Sequence, residues 1–200
     1  MKRLFIGIPI VSQKAVQVAD TWRQNEHLYR NVLKWGKPEN WHITLIFLGN
    51  TPESTVPLLQ QLIDKSYTGI KAFKTELRGV GVFPNTHNPK ILWLGLENIE
   101  FLMPSNTRMR ELLQQEGFVL DDKPLKPHLT LARVKILGHR NSFESLLSEY
   151  REFDFGFVAI NQVVLYESIS TPSGPDYKPL FVKELPETDP MTSSHRISLS

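Results

Sequence analysis

The chain has 200 residues, 40% of them hydrophobic and 22% charged, enough for a sizeable core and ordinary for a globular protein. Its 23 basic and 21 acidic residues leave a formal charge of +2, so the total does not announce a nucleic-acid binder, although a local patch is compatible with it. There is no cysteine, which excludes disulfide scaffolds, thiolate metal sites and cysteine nucleophiles, and makes the reducing cytoplasm the expected compartment.

The opening MKRLFIGIPI carries two basic residues and a short apolar run. Gln13, Lys14 and Gln17 follow too soon for a secretory signal, so residues 3–8 read as a first strand ended by Pro9. Ser12 is placed to cap a helix that Val11, Ala15, Val18 and Trp22 carry at helical spacing into the high twenties. Gly36, Pro38 and Asn40 form a turn, and WHITLIFLG at 41–49 reads as a strand closed by Gly49 and Pro52. Leu58, Leu59, Leu62 and Ile63 predict a second helix over 53–66.

Strand-like stretches at 70–83 and 90–96 flank the turn-forming PNTHNP. Gly79 and Gly81 in RGVGVF read as a turn or bulge in a strand, since the third glycine and following helix of a dinucleotide loop are missing. Met109, Leu112 and Leu113 mark a third helix, with Pro104 in its first turn and Gly117 at its end. A strand follows at 127–134, a short helix at 142–150, and strand-like sequence at 153–167 broken near Gly156. STPSGPDY leads to a last strand near 179–185. Residues 186–200 are polar and patternless, so a disordered tail is expected after a single domain over 1–185. No apolar run approaches the ~20 residues needed to span a bilayer, and no membrane partner is expected.

The chemistry lies in two short repeats, HITL at 42–45 and HLTL at 128–131. Side chains alternate faces along a strand, so His42 and Thr44 share one face while Ile43 and Leu45 turn to the core. His128 and Thr130 stand in the same relation to Leu129 and Leu131. The order of elements suggests two similar halves, whose His-x-Thr faces would line one cleft. Imidazole titrates near neutrality, so one histidine can hold a proton while the other lacks it. Threonine hydroxyls can donate to an anion held between them. Such a pair suits in-line displacement at phosphorus without a metal, and a His-x-Thr strand has no zinc-ligand spacing. No cofactor is expected.

With those motifs, RLFIGI at 3–8, KPENWHITLIFLG at 37–49, GVGVFPN and PKILWLGLE within 79–97, LKPHLTLARV at 125–134 and LYESISTPSGPDYKPL at 165–180, the chain resembles the two-histidine phosphoesterases. It is most similar to the bacterial and archaeal RNA 2′,3′-cyclic phosphodiesterases, historically called 2′-5′ RNA ligases. The resemblance implies an α+β bilobal fold: two pseudo-symmetric lobes of antiparallel sheet, helices outside, a central cleft. It implies metal-independent hydrolysis of an RNA 2′,3′-cyclic phosphate to a 2′-phosphomonoester by a cytoplasmic monomer. His42 would be the proton donor, His128 the proton acceptor, and Thr44 and Thr130 would hold the non-bridging oxygens.

Arg133 falls where the family often has an arginine near the phosphate, and Phe47 holds the matching place after His42, so the resemblance makes both candidate substrate-binding residues. Strand alternation objects to Arg133: five residues after His128 it turns to the opposite face unless the strand twists or ends, and a surface ion pair is then its alternative role. Phe47 reads more readily as a core residue than as a base-stacking platform. Tyr166 and Tyr177 read as packing residues. Lys126, Arg133 and Lys135 could form a small basic edge, and His27, His87, His139 and His195 read as solvated. Ligation through the same site, action on another cyclic or 2′-5′ phosphodiester, and a non-catalytic RNA-end-binding module are the alternatives.

Overall fold

The computed structural model describes residues 1–25, 32–122, 124–136, 138, 140–172 and 174–187. His27, His139, His195, the expected run of the first helix beyond residue 25 and most of the expected tail lie outside these residues. Strand β1 (Lys2–Pro9) leads to helix α1 (Gln13–Gln24). The Ser12 hydroxyl caps that helix by accepting from the Ala15 N–H at 3.2 Å, a device that typically contributes ~1 kcal/mol. A short strand β2 (Val32–Trp35), absent from the sequence reading, precedes the Pro38–Asn40 turn and β3 (His42–Thr51). Helix α2 (Val56–Tyr67), β4 (Phe73–Phe83), β5 (Ile91–Glu97) and α3 (Met103–Gln115) follow. The chain closes with β6 (His128–Ile136), α4 (Arg140–Glu149), β7 (Asp154–Ile160), β8 (Gln162–Thr171) and β9 (Gly174–Glu184).

Two expected boundaries moved. The break expected at Gly156 falls at Asn161. Gly156 instead bends β7 at φ 88°, beside an unpaired Phe155. The last strand starts at Gly174 rather than near 179, although it contains Pro175 and Pro179. Strand β9 is a sheet edge, where a proline leaves no ladder bond unmade. Gly79 is a bulge at φ 70°, as its spacing suggests.

The strands form two antiparallel halves, β3-β1-β8-β9 and β6-β5-β4-β7, with β2 added alongside β6. They are joined at one residue pair, Ile43 opposite Leu129, both fully buried. The lobes are therefore not consecutive halves of the chain: the first takes its strands from both ends, the second from the middle. The reason is pairing, since β1 must lie between β3 and the late strand β8. Helices cross over too. Helix α1 follows β1 of the first lobe but packs on β7 of the second, with Trp22 edge-on to Tyr150 at 4.7 Å. Helix α3 follows β5 of the second lobe but packs on α2 and β3 of the first. These crossings bury apolar faces of each lobe under elements belonging, in chain order, to the other, which fixes the lobes together.

Candidate active site

Around the Ile43–Leu129 pair the two strands run antiparallel. His42 therefore lies toward Thr130, and Thr44 toward His128, a local two-fold relation. Ile43, Leu45, Leu129 and Leu131 are buried, while His42, Thr44, His128 and Thr130 are only partly so, as alternation predicts. His42, Thr44 and Thr130 line a cleft of about 400 Å³ between the lobes. His128 stands two residues along β6 from Thr130 and is near enough to His42 for its charge to oppose protonation there.

Each imidazole is held in the same way. His42 Nδ1 is 2.7 Å from the Asn40 carbonyl, and His128 Nδ1 is 2.6 Å from the Lys126 carbonyl. A carbonyl only accepts, so both Nδ1 atoms carry hydrogen and donate, leaving Nε2 as the nitrogen of each ring that can gain or lose a proton. His42 Nε2 lies 3.1 Å from the Thr44 hydroxyl. That hydroxyl donates to the neutral ring and accepts from the protonated one.

Aromatic rings enclose both histidines. His42 packs against Phe5, tilted at 4.8 Å, and Tyr177, edge-on at 4.8 Å, with Tyr166 at 6.3 Å. His128 meets the edge of Phe83 at 4.9 Å and lies 6.4 Å from Trp93. Two glycines make these arrangements possible by leaving out a side chain. A Cβ on Gly81 would sit 2.2 Å from the Trp93 ring, and one on Gly7 would sit 2.8 Å from the Ile43 carbonyl oxygen and 3.5 Å from the His42 ring. Burial lowers the pKa of both histidines, opposed by their carbonyl hydrogen bonds, and for His42 the charge of His128 lowers it further. Burial raises the Tyr166 and Tyr177 hydroxyls, opposed at Tyr177 by the nearby Arg133 and Arg3 guanidinium groups.

Phe47 and Arg133 both line the cleft, contrary to what regular alternation requires. Each strand carries a β-bulge at the fourth residue of its motif. In β1–β3, Ile6 pairs with Ile46 and Gly7 with Thr44, so Leu45 is the extra residue. In β5–β6, Leu92 pairs with Ala132 and Trp93 with Thr130, so Leu131 is the extra residue. One inserted residue reverses the parity of those that follow, in β3 as far as a second bulge at Leu48, and it brings the fifth residue after each histidine back to the histidine's side. Phe47 is 51% exposed with the Arg3 guanidinium 5.1 Å from its ring centre, so it is not a core residue. Arg133 has no carboxylate partner among the described residues, which removes the ion-pair reading.

Of the expected basic edge only Arg133 lines the cleft; Lys126 and Lys135 are exposed outside its lining. His87 lies in an exposed turn tied to Arg140 and outside the lining as well. Sequence reasoning missed Arg3, Lys34, Trp35 and Lys37, all of which line the cleft. The β2 segment carries three of them, and it is locked to the second bulge: Gly36 N–H donates to the Leu131 carbonyl at 2.7 Å. The Asn40 side chain donates to the Pro175 carbonyl at 2.8 Å, tying the same segment to the β8–β9 hairpin. A basic residue on either side of Trp-Gly was the available signal. Among the described residues, no group of three or more His, Asp or Glu side chains is placed to hold a metal ion, and no helix is long and apolar enough to cross a membrane.

A family described as LigT-like phosphoesterases matches residues 8–93 and 104–177. The RNA 2′,3′-cyclic phosphodiesterase of Thermotoga maritima is 33% identical over 147 residues, which are 74% of this chain and 76% of that protein. The protein of the same name from Methanocaldococcus jannaschii is 30% identical over 176 residues, covering 88% of this chain and 96% of its own. The crystal structure of a Thermus thermophilus protein, TT0787, is similar with a TM-score of 0.73 at 28% identity, over 92% of this chain and 98% of that one. Escherichia coli LigT in its apo form shares the fold with a TM-score of 0.69 at 21% identity, over 93% of this chain and 98% of that one.

Proposed function

This chain is a member of the LigT-like phosphoesterase family, and on that premise we propose that it is a metal-independent RNA 2′,3′-cyclic phosphodiesterase. The observation that carries the reading is the matched pair of imidazoles, each with Nδ1 fixed on the carbonyl two residues upstream and Nε2 left to react. Water attacks phosphorus and His128 Nε2 takes its proton. The bond from phosphorus to the ribose 3′ oxygen breaks, and protonated His42 supplies that oxygen with a proton through Nε2. The product is a 2′-phosphomonoester, and the two rings have exchanged protonation states. Each proton-transfer role is worth typically about 10²- to 10⁴-fold.

Thr44 and Thr130 donate to the non-bridging oxygens, and the unpaired Arg133 guanidinium offsets the charge that builds on them. The exposed ring of Phe47, with Arg3 over it, offers a nucleobase a stacking face at the cleft wall. Every side chain in these roles comes from one chain, which suits a monomer, and RNA with a cyclic phosphate end is its partner in the cytoplasm. The test is incubation of the native protein with adenosine 2′,3′-cyclic phosphate in EDTA. Adenosine 2′-phosphate is the expected product; adenosine 3′-phosphate would reverse the bond assignment, and no product from this or a cyclic-ended oligonucleotide would overturn the reading.

A further inference from the structure

The cleft carries more positive charge than the reaction at one phosphate requires. Arg3, Lys34, Lys37 and Arg133 all line it, and no acidic side chain among the described residues does. Within the same set Arg3, Lys34 and Arg133 have no carboxylate partner, and Lys37 reaches Asp176 only at 3.6 Å. A 2′,3′-cyclic phosphate offers these four cations a single negative charge.

The cations fall into two sets. Arg3 and Arg133 both lie near the Tyr177 hydroxyl, and Tyr177 packs edge-on to His42, so this set belongs to the reacting phosphate. Lys34 and Lys37 belong to the β2 segment. Lys34 stands opposite Arg133 in the β2–β6 ladder and so projects from the same face, but its end crosses to the other lobe. There Nζ lies 3.9 Å from where a Cβ on Gly174 would be. Lys37 reaches the same strand at Asp176, next to Tyr177. From Gly174 to Tyr177 the strand advances roughly 10 Å, so Lys34 marks the end of the cleft away from Tyr177, with Lys37 between.

A 2′,3′-cyclic phosphate closes the 3′ end of its chain, so any second phosphate of the substrate lies on the 5′ side. We propose that Lys34 and Lys37 hold the phosphate immediately 5′ to the reacting one, and that the cleft thereby selects the end of an oligonucleotide over a lone cyclic nucleotide. The inference rests on the phosphodiesterase reading above. Lys34 and Lys37 are positioning residues, since the group they hold does not react.

The test compares kcat/KM for adenosine 2′,3′-cyclic phosphate, the same nucleotide bearing a 5′-phosphate, and the dinucleotide ApA with a cyclic end. The native protein should prefer the two longer anions by about tenfold or more, the worth of a charge-assisted contact. In the Lys34→Ala, Lys37→Ala double variant the preference should shrink to about twofold or less, and the Lys34→Arg, Lys37→Arg variant should retain it. A native ratio near one, or a double variant that slows all three substrates alike, overturns the proposal. Calorimetry with the 2′-phosphate products separates the two readings. For the native protein the slope of log affinity against log salt should be steeper by about 0.7 for the dinucleotide product, and the double variant should lose that difference. Turnover without a length preference would sink the subsite and spare the phosphodiesterase reading. No turnover, with lysine-dependent tighter binding of the dinucleotide, would do the opposite.

Discussion

Replacing Arg133 by methionine separates a residue kept for a substrate from one kept for the fold. Arg133 is exposed, has no carboxylate partner among the described residues, and faces Lys34 across the β2–β6 ladder. No carboxylate among the described residues repays its charge, so its removal should leave thermal stability unchanged or slightly raised. A hydrogen bond to a charged group contributes ~1.5–3 kcal/mol, and the exposure of this guanidinium argues for the lower end, which corresponds to about tenfold in kcat/KM. Lysine at the same place keeps the charge but loses the planar fork, so it should recover only part of that loss. The assay is kcat/KM on a cyclic phosphate together with a thermal unfolding curve. A methionine variant within about twofold of native activity, or one that melts several degrees lower, would refute the reasoning that the Leu131 bulge turns Arg133 to the substrate.

A methyl group added at Gly7 would meet the Ile43 carbonyl and the His42 ring, so Gly7→Ala should cost ~1–3 kcal/mol as overpacking and lower activity with it, read from thermal unfolding and kcat/KM. Folding favours the neutral form of both histidines, whose pKa values lie below 6.5. That stability is full above pH 6.5 and is lost as pH falls through the folded values, and kcat/KM, which needs one ring protonated and one neutral, should peak below 6.5. Unfolding curves and a rate profile across pH check both signs, and a peak well above neutrality would contradict the protonation scheme. Tyr177→Leu opens one side of the His42 enclosure, so the His42 pKa should rise toward 6.5, as followed by NMR titration of the ring.

The two His-x-Thr faces were legible because alternation is a local property: Ile43, Leu45, Leu129 and Leu131 had to be buried if the strands paired at all. What alternation could not supply was the point where it stops. LIFL and LARVK read as continued strands, with no glycine or proline at Leu45 or Leu131 to mark a bulge, and only the unequal step against Gly7 and against Trp93 shows that these two residues are inserted. The fates of Phe47 and Arg133 turn on that single residue in each strand. Strand β2 escaped notice because four residues are too few to carry a period, and its role depends on where Leu131 and Pro175 lie in space. The interleaving of the lobes was hidden for the same reason, since nothing local in VVLYES tells it to pair with residues at the other end of the chain.

The central claim is that two strands from different lobes form one catalytic unit, and a mutant cycle in EDTA tests it most directly. The rates of His42→Ala, His128→Ala and the double variant are compared on adenosine 2′,3′-cyclic phosphate. Groups that act together in one step are lost together. Each single variant should fall by about a hundredfold or more, and the double variant should be little worse than either. Losses that multiply in the double variant, or a single variant that keeps near-native turnover, would contradict it.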